Sequence, residues 1–339
     1  MTAELNIAVA RHPGSLTKEL DLTKDRFLGM VERARLLKQQ RAEGLELPML
    51  LDKNIALIFE KKSTRTRCAF EVAAHDQGAH VTYIGPEDSH LGRTESVVDS
   101  ARVLGRIYDG IQFRGFAHHV VEELADNAGV PVWNGLTDDW HPTQMLADVM
   151  TMLEHKSDPV ERISYCFLGD ARNNVARSLL ITGSLLGMDV RIAAPKQLWP
   201  PGDVVGKARA MAAASGARIV LTHDPALALH GADFIYTDVW VSLGEAIEQW
   251  DVRVPQLRPY RVTSEIMRAT YKPDTKFMHC LPALHDRASE AGRRLYERYG
   301  LDGCEVTDEV FESAASIVFD QAENRMHTIK AMMLDALEA

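Results

Sequence analysis

Short runs rich in branched and aromatic residues recur along the chain, and each is followed by a longer stretch with apolar residues spaced as on a helix face. NIALIF (54–59), HVTYIG (80–85), DGIQFR (109–114) and VPVW (130–133) read as a first set of strands. ISYCFLG (163–169), DVRIAA (189–194), ARIVLT (217–222), ADFIYTD (232–238) and KFMHC (276–280) read as a second. Strands that alternate with helices are joined by crossovers, and crossovers generate parallel sheets with helices packed on their faces. The expected class is therefore α/β, with two doubly wound domains, each a central parallel sheet flanked by helices. The charged stretch EHKSDPVER (154–162) separates the two sets and is the expected hinge. The last segment carries Ala322, Met326, Ile329, Met333 and Leu337 at helical spacing, which predicts a long helix with one apolar face.

Composition narrows the class of partner. The 339 residues are 46% hydrophobic and 25% charged, as in a soluble globular protein of two domains. A formal charge of −10 argues against nucleic acid or an anionic membrane as a partner, because those demand a broad basic face. Cys68, Cys166, Cys280 and Cys304 are far apart and form no C-x-x-C pair, so no zinc or redox motif is expected. The charge-free stretch Ser178 to Met188 is about half of what a membrane span needs, and no basic-then-apolar leader opens the chain. A cytoplasmic protein is expected. No repeat, low-complexity tract or G-x-G-x-x-G fingerprint is found.

In open α/β sheets, ligands collect beyond the carboxyl ends of strands, where helix N-termini present amides. KKSTRTR (61–67) concentrates positive charge at one such end in an otherwise acidic chain. With Ser63 as N-cap, the amides of Thr64, Arg65 and Thr66 and the Arg65 guanidinium converge on a phosphate; an ordinary capped helix with solvated arginines fits the same letters. Lys61 and Lys62 read as solvated. WHPTQ (140–144) places Pro142 at a helix start and lets His141 and Gln144 face one ligand, and a surface histidine fits equally. Arg114 ends a strand at the same sheet edge. In the second half, Asp238 ends a strand and suits a cationic group, or a turn. Asn173 and Asn174 in GDARNN (169–174) can bind a carboxylate or cap a helix. MHCLP (278–282) ends a strand in a Leu281–Pro282 bond, where a cis peptide would aim the carbonyls of Cys280 and Leu281 inward.

Taken together, STRTR, HPTQ, DARNN, DVWVS-x-GE, HCLP and FDQAENRMHTIKA, in this order and over nearly the whole chain, resemble the ornithine carbamoyltransferases of the aspartate/ornithine carbamoyltransferase superfamily. The resemblance implies a carbamoyl-phosphate domain of residues 1–153 plus 320–339 and an ornithine domain of residues 154–319. It implies a homotrimer or a multiple of trimers, with sites at subunit interfaces. Carried over residue by residue, Ser63, Thr64, Arg65 and Thr66 hold the phosphate, and Arg114, His141 and Gln144 contact the carbamoyl group. Asn174, Asp238, Ser242 and Leu243 bind ornithine, and Cys280, Leu281 and Arg325 complete the site. Arg65, Arg114, His141 and Cys280 are the implied catalytic residues. No metal or organic cofactor is implied.

The chain departs from the family pattern in three places. In SHLGRTES (89–96), the loop that the resemblance lends to the neighbouring subunit's donor site, His90 stands for a glutamine and Thr94 for a lysine. A positive charge is thereby lost unless Arg93 replaces it, so weaker donor binding is expected. Leu243 replaces a methionine, and Arg177 in NNVARS (173–178) adds a cation close to Asn174. The alternative reading is a carbamoyltransferase paralogue with an altered acceptor or resistance to a bisubstrate toxin. An aspartate acceptor is disfavoured, since Asp238 would repel its second carboxylate. A dinucleotide dehydrogenase lacks its glycine fingerprint. A non-catalytic binding protein has no need of both phosphate junctions and HCLP. The sequence leaves open whether citrulline is made or degraded.

Overall fold

The computed structural model describes residues 10–89, 91–92, 94–241 and 247–338. The chain forms two compact units, residues 1–150 with 324–339 and residues 151–323. The division falls within helices Pro142–His155 and Val318–Leu337, so the stretch 154–162 holds a helix end and the 3-10 turn Val160–Arg162.

In the first unit, β1 (Asn54–Phe59), β2 (His80–Ile84), β3 (Gly110–Arg114) and β4 (Val132–Leu136) form a parallel sheet in the order β2-β1-β3-β4. Ile55 to Phe59 are all buried, an uninterrupted apolar run of the kind found in strands covered on both faces. Ile58, Ile111, Phe113, Val121, Leu124 and Val132 share one cluster, and each such side chain contributes about 1.5–3 kcal/mol by leaving water. The chain runs outward from β1 to β2 and then crosses back to β3, so the winding direction reverses at the β1/β3 pair. Crossovers leaving in opposite directions open a crevice at the carboxyl ends of such a pair.

The fourth strand lies later than the expected 130–133, because Pro131 has no N–H to give the ladder and Gly135 is a strand residue rather than a turn. A Cβ on Gly135 would come 2.4 Å from the Gln112 amide and 3.2 Å from the Thr66 methyl. The glycine is there to let its neighbours approach.

The second unit contains β5 (Ser164–Leu168), β6 (Asp189–Ala193), β7 (Arg218–Thr222), β8 (Phe234–Thr237) and β9 (Lys276–His279), all parallel in the order β7-β6-β5-β8-β9. Its winding reverses at the β5/β8 pair. Asp238 and Cys280, expected inside strands, lie one residue beyond their ends.

The terminal helix is more deeply buried than one apolar face provides. Asn324, Arg325, His327, Thr328 and Lys330 are buried alongside Ile329 and Met333, while Ala322 and Met326 are only half-buried. Polar side chains enter the core here because acceptors wait for them. Lys330, wholly buried, lies 2.7 Å from Glu46 and 2.7 Å from Asp76 at the end of helix Thr64–Asp76, and Gln77 also donates to Glu46 at 2.7 Å. Replacing Lys330 by methionine keeps the volume but removes the buried cation that two half-buried carboxylates share, leaving Asp76 with Arg41 and Glu46 with Gln77. The expected result is a loss of about 3 kcal/mol of stability, read as a lower urea midpoint with unchanged slope.

Candidate active site

The β1/β3 crevice is built from three strand ends and the terminal helix. Ser63 precedes helix Thr64–Asp76 in extended conformation, and its hydroxyl accepts from the Thr66 amide at 3.3 Å. Capping is therefore what this hydroxyl does, and it aims the first turn of the helix outward from β1. The basic cluster sorts itself by direction. Arg67 turns away, donating to Glu71 at 2.8 Å with its guanidinium 3.8 Å above the Tyr83 ring. Lys61 lies 3.6 Å from Asp138, and Lys62 is exposed. Arg65 is half-buried and Thr66 wholly buried.

Thr66 is where the crevice converges. Its Oγ1 accepts from Arg114 Nη1 at 3.2 Å and from Arg325 Nη2 at 3.0 Å. The β3/β4 register slips between Phe113 and Arg114, so that Phe113 faces Asn134 but Arg114 faces Leu136. Such a bulge re-aims the side chain that follows it. Arg325 Nη1 donates to Gln144 Oε1 at 2.9 Å and lies 3.4 Å from His141 Nε2. His141 and Gln144 flank Pro142 at the start of helix Pro142–His155, as their spacing predicts, but both are buried rather than displayed at the surface.

Burial holds the His141 imidazole well below the ordinary histidine pKa, and the guanidinium groups of Arg325, Arg114 and Arg65 press it in the same direction. The ring is thus neutral at pH 7. The set combines three guanidinium groups, a helix N-terminus, a hydroxyl and an uncharged imidazole. It suits an oxyanion with a carbonyl beside it, since guanidinium forks bind phosphate oxygens and a neutral ring can hydrogen-bond without adding charge.

In the second unit the β5/β8 crevice carries a different chemistry. Asn173 caps helix Asn174–Leu186, its Oδ1 accepting from Ala176 N at 2.8 Å while its Nδ2 donates to Asp238 Oδ2 at 3.2 Å. The cap reading of Asn173 is realised, and its amide is also engaged by the protein's own Asp238 carboxylate. Asp238 Oδ1 also accepts from Val239 N at 2.8 Å and from the Cys280 thiol at 3.3 Å. Burial nonetheless pushes the Asp238 carboxyl above its usual range, against the pull of His279 and these hydrogen bonds. A buried acid in this state gains from a cation placed against it.

The Leu281–Pro282 bond is cis, and Leu281 has a φ of 58°, a left-handed conformation uncommon for a leucine. The Leu281 amide donates to His279 Nδ1 at 2.8 Å, and His279 Nε2 lies 3.3 Å from buried Glu305. Asp238, His279 and Cys280 offer ligand atoms within 4.8 Å of one another, but the thiol and the imidazole already serve protein partners.

Residues 15–154 match the family model described as the carbamoyl-P binding domain of aspartate/ornithine carbamoyltransferase, and residues 161–335 match its Asp/Orn binding domain. The chain belongs to the aspartate/ornithine carbamoyltransferase family. Proteins named ornithine carbamoyltransferase, catabolic, from Burkholderia mallei and Pseudomonas putida are each 59% identical over 310 residues, which cover 91% of this chain and 92% of theirs. The solved ornithine carbamoyltransferase from Pyrococcus furiosus is 40% identical with a TM-score of 0.88, covering 98% of this chain and 99% of that one. The anabolic enzyme from Campylobacter jejuni is 33% identical with a TM-score of 0.85, covering 95% and 98%.

Among the residues that the family resemblance implies, the first unit brings together Thr66, Arg114, His141, Gln144 and Arg325, with Ser63 as cap and Thr64 exposed. The second brings Asp238 to Cys280, with Asn174 next to the capping Asn173 and Leu281 following Cys280. His90, Arg93, Ser242 and Leu243 lie outside the described residues, and Thr94 is exposed. Arg177 bends back over its helix start and donates to the Arg172 carbonyl at 2.8 Å. Sequence reasoning missed Asp148, which accepts from Gln144 at 2.8 Å; its only signal was the four-residue spacing on a helix.

The lowered pKa of His141 has a measurable consequence. Since the folded form resists protonation, the unfolded chain binds more protons below the ordinary value of about 6.5, and stability falls as pH drops through and below it. His327, pushed down to about 3 by burial, adds to the same trend. Nitrogen NMR at about pH 6, where an ordinary histidine is mostly protonated, is expected to find the His141 ring neutral. A protonated ring there would contradict the assignment.

Proposed function

We propose that the chain transfers the carbamoyl group of carbamoyl phosphate to the side-chain amine of L-ornithine, giving L-citrulline and phosphate. The observation that carries this reading is the convergence of Arg114 and Arg325 on Thr66 beside a neutral His141. Residues 1–153 with 320–339 would hold the donor and residues 154–319 the acceptor. On the donor side, Ser63, Thr64, Arg65 and Arg325 take the phosphate, Arg114, His141 and Gln144 take the carbamoyl group and its oxygens, and Thr66 is shared between the two. Cys280 and Leu281 present backbone carbonyls to the carbamoyl amide. Asn174 and Asp238 engage the backbone end of ornithine, aided by Ser242 and Leu243.

Charge dictates the mechanism. The attacking amine must be neutral, and taking a proton from a lysine-like amine of pKa about 10.4 costs about 4 kcal/mol near pH 7.4. Exclusion of water lowers that cost by disfavouring the ammonium form. Attack on the carbamoyl carbon builds negative charge on its oxygen, which Thr66, Arg114 and His141 stabilise by hydrogen bonds present before the reaction. As the carbon–oxygen bond to phosphate breaks, Arg65 and Arg325 hold the departing anion, and phosphate itself can accept the amine's proton. The same groups serve phosphorolysis of citrulline. We read the direction as catabolic, because the relatives at 59% identity carry that name. The proposed assembly is a homotrimer or a multiple of trimers in the cytoplasm.

Two substitutions separate the halves of this reading. Arg65→Lys keeps the charge but loses the two-pronged geometry, so turnover is expected to fall by about 100-fold or more with the fold intact. Near-normal citrulline formation by that variant would remove Arg65 from the phosphate. Asp238→Asn is expected to raise the KM for ornithine by about tenfold or more while the KM for carbamoyl phosphate moves little. Equal effects on both substrates would mark Asp238 as structural.

A further inference from the structure

Asp148 lies one turn beyond Gln144 on helix Pro142–His155 and is wholly buried. Gln144 Nε2 donates to Asp148 Oδ1 at 2.8 Å, Gln144 Oε1 accepts from Arg325 Nη1 at 2.9 Å, and Arg325 Nη2 donates to Thr66 Oγ1 at 3.0 Å. The polarity of this chain is decided by its ends. An ionised carboxylate only accepts and a guanidinium only donates, so the amide set against both can satisfy them in one orientation alone. Turned over, it would set oxygen against carboxylate and N–H against guanidinium, losing both bonds inside a site where neither group can turn to water.

We propose that Asp148 is a positioning residue for the donor half of the site: it locks the Gln144 amide with Oε1 toward Arg325 and supplies negative charge behind the guanidinium cluster. Arg325 then reaches Thr66 in a fixed pose before any donor arrives. The inference rests on the carbamoyl-transfer reading, which wild-type turnover tests in the same assay, so failure of one is distinguishable from failure of the other.

A charge-relocating pair of substitutions tests it. Asp148→Asn keeps the shape but offers Gln144 both a donor and an acceptor, so position 148 no longer selects the amide orientation, which Arg325 alone is left to set, and the negative charge is gone. Gln144→Glu alone sets two carboxylates face to face. With both substitutions made, the amide introduced at position 148 can donate to one oxygen of the carboxylate introduced at position 144 while Arg325 donates to the other, restoring both polarity and net charge. Carbamoyl phosphate saturation at high ornithine, and ornithine saturation at high carbamoyl phosphate, are measured for the four proteins. Asp148→Asn is expected to raise the donor KM by about tenfold to a hundredfold, with the ornithine KM within about twofold. Because Gln144 itself contacts the donor, the double variant is expected to fall short of wild type but to lose clearly less than the product of the two single losses. An unchanged donor KM in Asp148→Asn, a matching rise for ornithine, or losses that simply multiply in the double variant would overturn the proposal. Should the single variants fail to fold, thermal unfolding of the double variant decides: a folded protein supports the lock and an equally unfolded one refutes it.

Discussion

The donor half of this protein depends on one shared acceptor, the hydroxyl of Thr66, on which the guanidinium groups of two distant residues close. Like charges repel: two cations about 4 Å apart cost about 4 kcal/mol at the effective dielectric typical of protein surroundings. Much of the surrounding structure serves to tolerate that repulsion. His141 is kept uncharged by burial, so it adds no further cation. Gln144 turns its oxygen toward Arg325 and its nitrogen toward a buried carboxylate. Guanidinium groups gathered in this way suit a multiply charged anion, whose oxygens can accept from several forks at once.

Holding Arg325 in that position makes demands on the terminal helix. Two side chains tie it to helix Thr64–Asp76, Arg325 to Thr66 in that helix's first turn and Lys330 to Asp76 at its last residue. Apolar packing alone tolerates a helix that slides or rotates by a fraction of a turn. A buried ion pair does not, because displacement leaves charges without partners. The polar residues along this helix therefore set its register, at a cost in desolvation that an all-apolar helix would not carry.

The acceptor half obeys the inverse rule. Asp238 is an acid whose own burial disfavours its charge, partly compensated by the Asn173 amide, the Val239 amide and the Cys280 thiol. The first unit gathers guanidinium groups around a hydroxyl, and the second buries a carboxylate among neutral hydrogen-bond donors. Both sets of groups sit where the winding of their own sheet reverses, so one architectural rule applied twice brings together two sets of opposite charge.

The sequence by itself determined the strands, their parallel pairing and the junctions that carry chemistry, because period, length and turn residues are local properties. Ser63 before its helix, Pro142 at a helix start and, to within one residue, Asp238 at a strand end were legible for that reason. The family too was legible, since six motifs in fixed order specify more than any one of them. Tertiary structure decided which of these groups meet. That Arg325 closes on Thr66, 259 positions away in the chain, that Arg67 turns outward while Arg114 turns in, and that Asp148 stands behind Gln144 all depend on side-chain direction after packing. The terminal helix shows the limit most plainly. Its apolar positions predicted one buried face, whereas Asn324, Arg325, His327 and Lys330 are buried as well. Whether a polar side chain can enter a core depends on partners supplied by other segments, and helical period carries no record of them.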